Sequence, residues 1–129
     1  MPERPLSPHL TIYRMSRYTL LSSFANRLAG LAASAGLLVL AYWLTAAARG
    51  PEAYARARDL LGSPIARVLY ALVLVAFLYH AVAGIRHLIW DTGRGLERAQ
   101  SQRSAWAIAV VTVILASVLG WAFFLRGGI

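Results

Sequence analysis

Three stretches of this chain carry no charged residue: Leu28 to Ala48, Val68 to Ile85 and Ala105 to Leu125, which hold 21, 18 and 21 residues. Coiled as α-helices they reach roughly 32, 27 and 32 Å, close to the ~30 Å hydrocarbon thickness of a bilayer. No other feature constrains the fold as strongly. In lipid every backbone N–H and C=O must find its partner within the chain, so each run is expected to be a helix. Arg residues bracket all three (Arg27 and Arg49, Arg67 and Arg86, Arg103 and Arg126), and Trp43, Trp106 and Trp121 lie near run ends, as interfacial anchors do. With 59% hydrophobic residues in a 129-residue chain, a soluble domain could not bury its own apolar surface. The expectation is an all-α integral membrane protein with three transmembrane helices. It forms a single domain over 1–129: an N-terminal interfacial segment, 1–19, then spans over about 20–48, 65–90 and 104–126.

The connections carry their own punctuation. Gly50-Pro51 ends the first helix, and Ser63-Pro64 reads as an N-cap followed by a first-turn proline opening the second. Glu52 to Leu61 between them has the length of a short interfacial helix, while Asp91 to Arg103 is a polar connection containing Gly93 and Gly95. Pro5 and Pro8 argue for an extended segment before the first helix, docked on the membrane surface or on a partner. Placing the N-terminus inside puts eight Arg on the inner side and five on the outer, which favours that orientation. The net charge of +8 comes from 13 Arg and no Lys. Those Arg residues lie between apolar runs rather than along one face, so they read as headgroup contacts, not as a nucleic-acid surface. With no Cys, the chain can form no disulfide, hold no iron–sulfur cluster and attach no haem covalently.

The chemistry concentrates at one end of the second span. His80, Gly84, His87 and Asp91 fall within a sector of about 60° on a helix, with Arg86 well round the side. His80 lies inside the bilayer toward the inner side. An ionisable group there is costly and usually functional, and Gly84 one turn on would let a flat macrocycle lie against the backbone. Haem ligation is therefore expected over a simple packing contact. His80 and His87 cannot both bind one iron, since roughly 10.5 Å separates them along the same face. A six-coordinate haem would take its second His from another chain. His87, at the membrane edge, suits a propionate or plain interfacial exposure.

A second group, Ser23, Asn26, Arg27 and Gly30, shares a face of the first helix within about 100°. Ser23 and Arg27 could donate to one acceptor, a quinone carbonyl or a haem propionate. Alternatively, Arg27 reaches to headgroups, and spacing does not choose between these. Gly30-x-x-x-Ser34 is a small-residue pattern for close helix approach.

Arg4-Pro5-Leu6-Ser7-Pro8-His9-Leu10, Ser23-x-x-Asn26-Arg27-x-x-Gly30 and His80-x-x-x-Gly84-Ile85-Arg86-His87-x-x-x-Asp91 together resemble the cytochrome b556 membrane-anchor subunit of succinate dehydrogenase, respiratory complex II. The resemblance covers most of the chain. It implies a bundle completed by a second anchor subunit, with a flavoprotein and an iron–sulfur protein held on the inner face. It implies one haem b shared between the anchors, with His80 as one axial ligand to the iron and the other His supplied by the second anchor. Ser23 and Arg27 would help form the quinone site, and Arg27, His87 and Asn26 would lie near the haem propionates. The chain departs from the family at Asn26, where His is frequent. Asn can donate a hydrogen bond but cannot carry a proton, which weakens propionate pairing there, and Ser22 competes with Ser23 for the quinone-site position.

The function expected is therefore anchoring and quinone reduction within a succinate:quinone oxidoreductase, the chain not being catalytic alone. Asp91, at the helix end on the His80 face, is the expected point of proton entry. The rivals are a haem-free structural anchor and the cytochrome b anchor of another respiratory dehydrogenase. The N-terminal residues show neither a signal-like apolar stretch nor an Arg/Ser-rich presequence, so a bacterial inner membrane is expected over a mitochondrial one.

Overall fold

In the computed structural model, which describes residues 17–125, the chain forms four helices: α1 (Arg17–Ala48), α2 (Pro51–Leu61), α3 (Pro64–Asp91) and α4 (Arg98–Leu125). The N-terminal prolines, Arg4, His9, Arg14 and Arg126 lie outside the described residues. Three of the helices, α1, α3 and α4, are long and apolar enough to cross a membrane. The short α2 stands between the first two spans, where the sequence anticipated a short helix. The spans overrun their uncharged runs: α1 begins at Arg17 and α4 at Arg98. A helix need not stop where the lipid does, and Arg side chains along its first turns can extend into the headgroups.

The helix boundaries follow the local chemistry. Gly50 sits at φ +110°, a conformation that L side chains rarely adopt, so α1 stops there and Pro51 opens α2 at once. Ser63 caps α3 in an extended conformation, its hydroxyl accepting from the Ala66 amide at 3.3 Å, with Pro64 at the first helical position. The loop between α3 and α4 turns through Gly93 and Gly95, both at positive φ, and Trp90 Nε1 donates to Gly95 O at 3.0 Å.

Packing is inverted relative to a soluble domain. Among the described residues the buried positions are small or polar, Ala29, Ala46, Ala57, Ala83, Arg86, Ser101 and Thr112, with Ile108 the one large aliphatic residue. Leu, Val and Phe side chains such as Leu38, Leu72, Phe77 and Val113 face outward. That arrangement is expected where lipid is the solvent and helices associate by close backbone approach. The α1–α3 seam depends on it: a Cβ at Gly36 would run into Val73 Cγ1. Ser101, Ile108 and Thr112 form the inner stripe of α4, spaced seven and four residues apart on one helical face.

Arg86 departs from the sequence expectation of a headgroup-side flanking charge. It is only 6% exposed and ties the three spans together. Its Nη1 donates to Ser22 Oγ on α1 (3.3 Å), its Nη2 to Ser101 O and Oγ on α4 (both 3.1 Å), and its guanidinium carbon lies 4.0 Å from the Trp90 ring centroid. A guanidinium can serve all these partners because its donors are fixed in a planar fork. Arg86 therefore does not meet headgroups.

Candidate functional site

The end of the bundle that holds Arg86 brings together the start of α1, the end of α3 and the start of α4. Thr19 Oγ1 lies 3.5 Å from Ser101 Oγ, and the Tyr79 hydroxyl donates to Ser22 O at 3.4 Å. Both residue groups singled out from the sequence, around Ser23 on α1 and around His80 on α3, therefore sit at this one end.

His80 rests its imidazole on α1. Nδ1 is 3.1 Å from the main-chain oxygen of Asn26 and 2.9 Å from its side-chain Oδ1. A carbonyl oxygen can only accept, so Nδ1 carries the proton, and the Asn26 carboxamide turns its oxygen, not its nitrogen, toward the ring. Nε2 is then left with its lone pair. The approach is possible because residue 30 is glycine: a Cβ there would lie 2.9 Å from His80 Cε1 and 3.2 Å from Nδ1. Gly30 thus serves a side chain of the next helix. Ser34, its partner in the small-residue pattern, folds its hydroxyl back onto Gly30 O within α1 at 2.9 Å.

His80 is exposed on the surface of the three-helix unit, and a Cβ at Gly84 would meet nothing within 4 Å. The face of α3 at Gly84, one turn on from His80, is therefore open. Among the described residues no three His, Asp or Glu side chains converge to hold a metal ion. An imidazole with its Nδ1–H anchored and its Nε2 lone pair uncommitted has the tautomer needed to ligate an iron already held in a macrocycle. On these grounds the residues fit a haem.

The neighbouring groups are arranged around this ring. His87 donates from Nδ1 to Ala83 O of its own helix (2.7 Å) and packs edge-on to Trp90 with ring centroids 5.3 Å apart. Asp91 is exposed as the last residue of α3. Ser22 faces into the bundle, donating to Thr19 O at 3.2 Å and accepting from Arg86. Ser23 is turned about 100° away from it, half-buried, and Arg27 is exposed beyond. No hydrogen bond joins Ser23 or Arg27 to another side chain among the described residues.

Sequence reading missed Arg86 as a functional neighbour. Nothing local marks its burial, because its partners Ser22 and Ser101 stand 64 and 15 residues away. It also placed Asn26 beside propionates without seeing its contact to His80.

The comparisons with known proteins agree in kind. A family model described as Succinate dehydrogenase/Fumarate reductase transmembrane subunit matches residues 1–119. The chain is 37% identical over 121 residues to the succinate dehydrogenase cytochrome b556 subunit of Paracoccus denitrificans, covering 94% of this chain and 92% of that protein. It is 31% identical over 117 residues to the protein of the same name from Rickettsia felis, covering 91% and 90%. It is 34% identical over 113 residues to the human mitochondrial succinate dehydrogenase cytochrome b560 subunit, covering 86% of this chain and 66% of that protein.

Proposed function

Since the chain belongs to the succinate dehydrogenase/fumarate reductase transmembrane subunit family, as a cytochrome b membrane anchor of complex II, we propose that it supplies one axial ligand of a haem b and part of the site where quinone is reduced. The observation that carries this reading is the state of His80, an exposed residue whose Nδ1–H is held by Asn26, which leaves the Nε2 lone pair for a ligand. The chain's second His at this end stands a full two turns away along α3, and its own Nδ1 is engaged. A second His ligand would then be supplied by the second anchor subunit. When bound, the haem supplies a one-electron ferric/ferrous couple. Arg27 would be the donor to its propionates, with His87 and Asn26 in their vicinity.

Reduction of a quinone to a quinol takes up two electrons and two protons, the electrons arriving from the iron–sulfur subunit. Ser23 and Arg27 donate hydrogen bonds to one quinone carbonyl oxygen and stabilise the negative charge that develops on it, an interaction strengthened where water is scarce. Ser23 is the serine for this role, because the Ser22 hydroxyl is engaged with Arg86 and the Thr19 carbonyl. Asp91, exposed at the water-facing end of α3, takes protons from the inner aqueous side. Its substitution, Asp91→Asn, is expected to slow quinone reduction with haem content unchanged, and unaltered turnover would remove Asp91 from the proton path. The chain sits in a bacterial inner membrane with its N-terminus inside, beside a flavoprotein, an iron–sulfur protein and a second anchor.

Purification in mild detergent tests the whole reading. The chain is expected to bring a flavoprotein and an iron–sulfur protein with it, and dithionite reduction to raise a b-type α band. Co-purification without any such band would leave a purely structural anchor. A different flavoprotein would assign the chain to another dehydrogenase.

A further inference from the structure

Asn26 makes a contact that the proposed haem and quinone roles do not require. Its carboxamide oxygen lies 2.9 Å from His80 Nδ1, and its own main-chain oxygen lies 3.1 Å from the same atom. The imidazole N–H is therefore shared between two acceptors of one residue. The ring is kept there by Gly30, whose missing Cβ leaves the room it occupies, and Asn26 itself is half-buried, so water competes little for the bond. An acceptor on the far nitrogen of a ligating imidazole fixes ring rotation and makes the ligand more electron-donating. A donating axial ligand stabilises ferric over ferrous iron, which lowers the reduction potential.

We infer that Asn26 is a positioning residue for the axial ligand, holding the His80 ring through Nδ1 and setting the haem potential through the strength of its side-chain acceptor. This rests on the haem reading above. The main-chain carbonyl keeps the ring in place whatever the side chain, so substitutions at Asn26 change the potential more than the haem content. A neutral carboxamide lies between two extremes. Asn26→Leu leaves only the main-chain acceptor, and Asn26→Asp offers an anionic oxygen at the same position.

The test uses the intact multisubunit complex, unaltered and with each substitution, and reads haem per flavin, the haem midpoint potential and the low-temperature electron paramagnetic resonance spectrum. Haem content is expected to stay at that of the unaltered complex in both variants. At a fixed solution potential the ferrous fraction is expected to rise with Leu and fall with Asp. Each change is about three- to tenfold in the ferrous/ferric ratio, tenfold being about 59 mV for one electron. The low-spin g values should move with the change in ring rotation. Potentials and g values that stay put in both variants, shifts in the same direction, or loss of haem from Asn26→Asp would each overturn the inference while leaving the haem reading standing. Absence of haem from the unaltered complex would overturn both.

Discussion

A complex carrying His80→Ala is expected to lose its b-type absorption completely while its helices remain folded and its partners remain bound. The ring lies on the outside of the three-helix unit, and its contacts with this chain are the bonds to Asn26 and the approach to Gly30. Removing it from the fold therefore costs little, since side-chain hydrogen bonds between membrane helices average about 0.6 kcal/mol. Removing it from an iron eliminates an entire coordinate bond. His87 cannot substitute, being roughly 10.5 Å away along α3 with Nδ1 directed at Ala83 O. The contrast between intact assembly and absent haem is what a gel and a reduced-minus-oxidised spectrum should record together. An α band of full strength in His80→Ala would end the assignment of His80 as ligand. Gly30→Ala serves as the graded companion. Its new methyl group would stand 2.9 Å from His80 Cε1, so the ring must retreat by a few tenths of an ångström from Asn26, and haem content should fall about two- to fivefold without vanishing.

Arg86 yields the second large effect, and its size depends on what replaces it. Among the described residues the guanidinium has no carboxylate partner; Ser22, Ser101 and the Trp90 face are its neighbours. Charge-assisted hydrogen bonds contribute about 1.5–3 kcal/mol each, and a desolvated cation–π contact about 2 kcal/mol. Against these stands a desolvation penalty of several kcal/mol for a buried ion. Arg86→Met removes both sides of that balance and is expected to change stability by no more than about 1.5 kcal/mol. Arg86→Lys keeps the charge buried but cannot reach Ser22 and Ser101 at once or lie flat on the indole. It should cost about 3 kcal/mol, the worth of one or two of the bonds it forfeits. The thermal midpoint of the purified complex should therefore fall in the order wild type, Met, Lys, reversing the order that charge conservation suggests. Equal midpoints for Arg and Lys would mean that the fork geometry has no role in joining the spans.

The transmembrane architecture was readable because lipid enforces it. Three uncharged runs of spanning length have only one way to satisfy their backbone, and α1, α3 and α4 contain them. The caps were equally local: Gly50-Pro51 and Ser63-Pro64 act through their own dihedrals and side chains, and both stand where the pattern put them. So did the short α2. The family likeness was legible from the spacing around His80, and the matched residues 1–119 bear it out.

What a helical face points at was not readable. Periodicity groups Asn26 with Gly30, and His80 with Gly84, but it does not say which face meets which. The hydrogen bonds that decide the site join residues 54 apart (Asn26 and His80) and 64 apart (Ser22 and Arg86). Those pairings are settled by how deeply two helices approach, which in turn depends on where a side chain is missing. At Gly36 the backbone makes way for Val73, and at Gly30 it makes way for His80. The uncharged runs by themselves determined that this chain crosses the membrane three times and carries a histidine within it. The tertiary structure alone decided that Arg86 is an internal tie rather than a headgroup anchor, and that Asn26 holds Nδ1 of His80. Such contacts depend on the rotation of one helix against another, and each helix on its own is equally stable at every rotation.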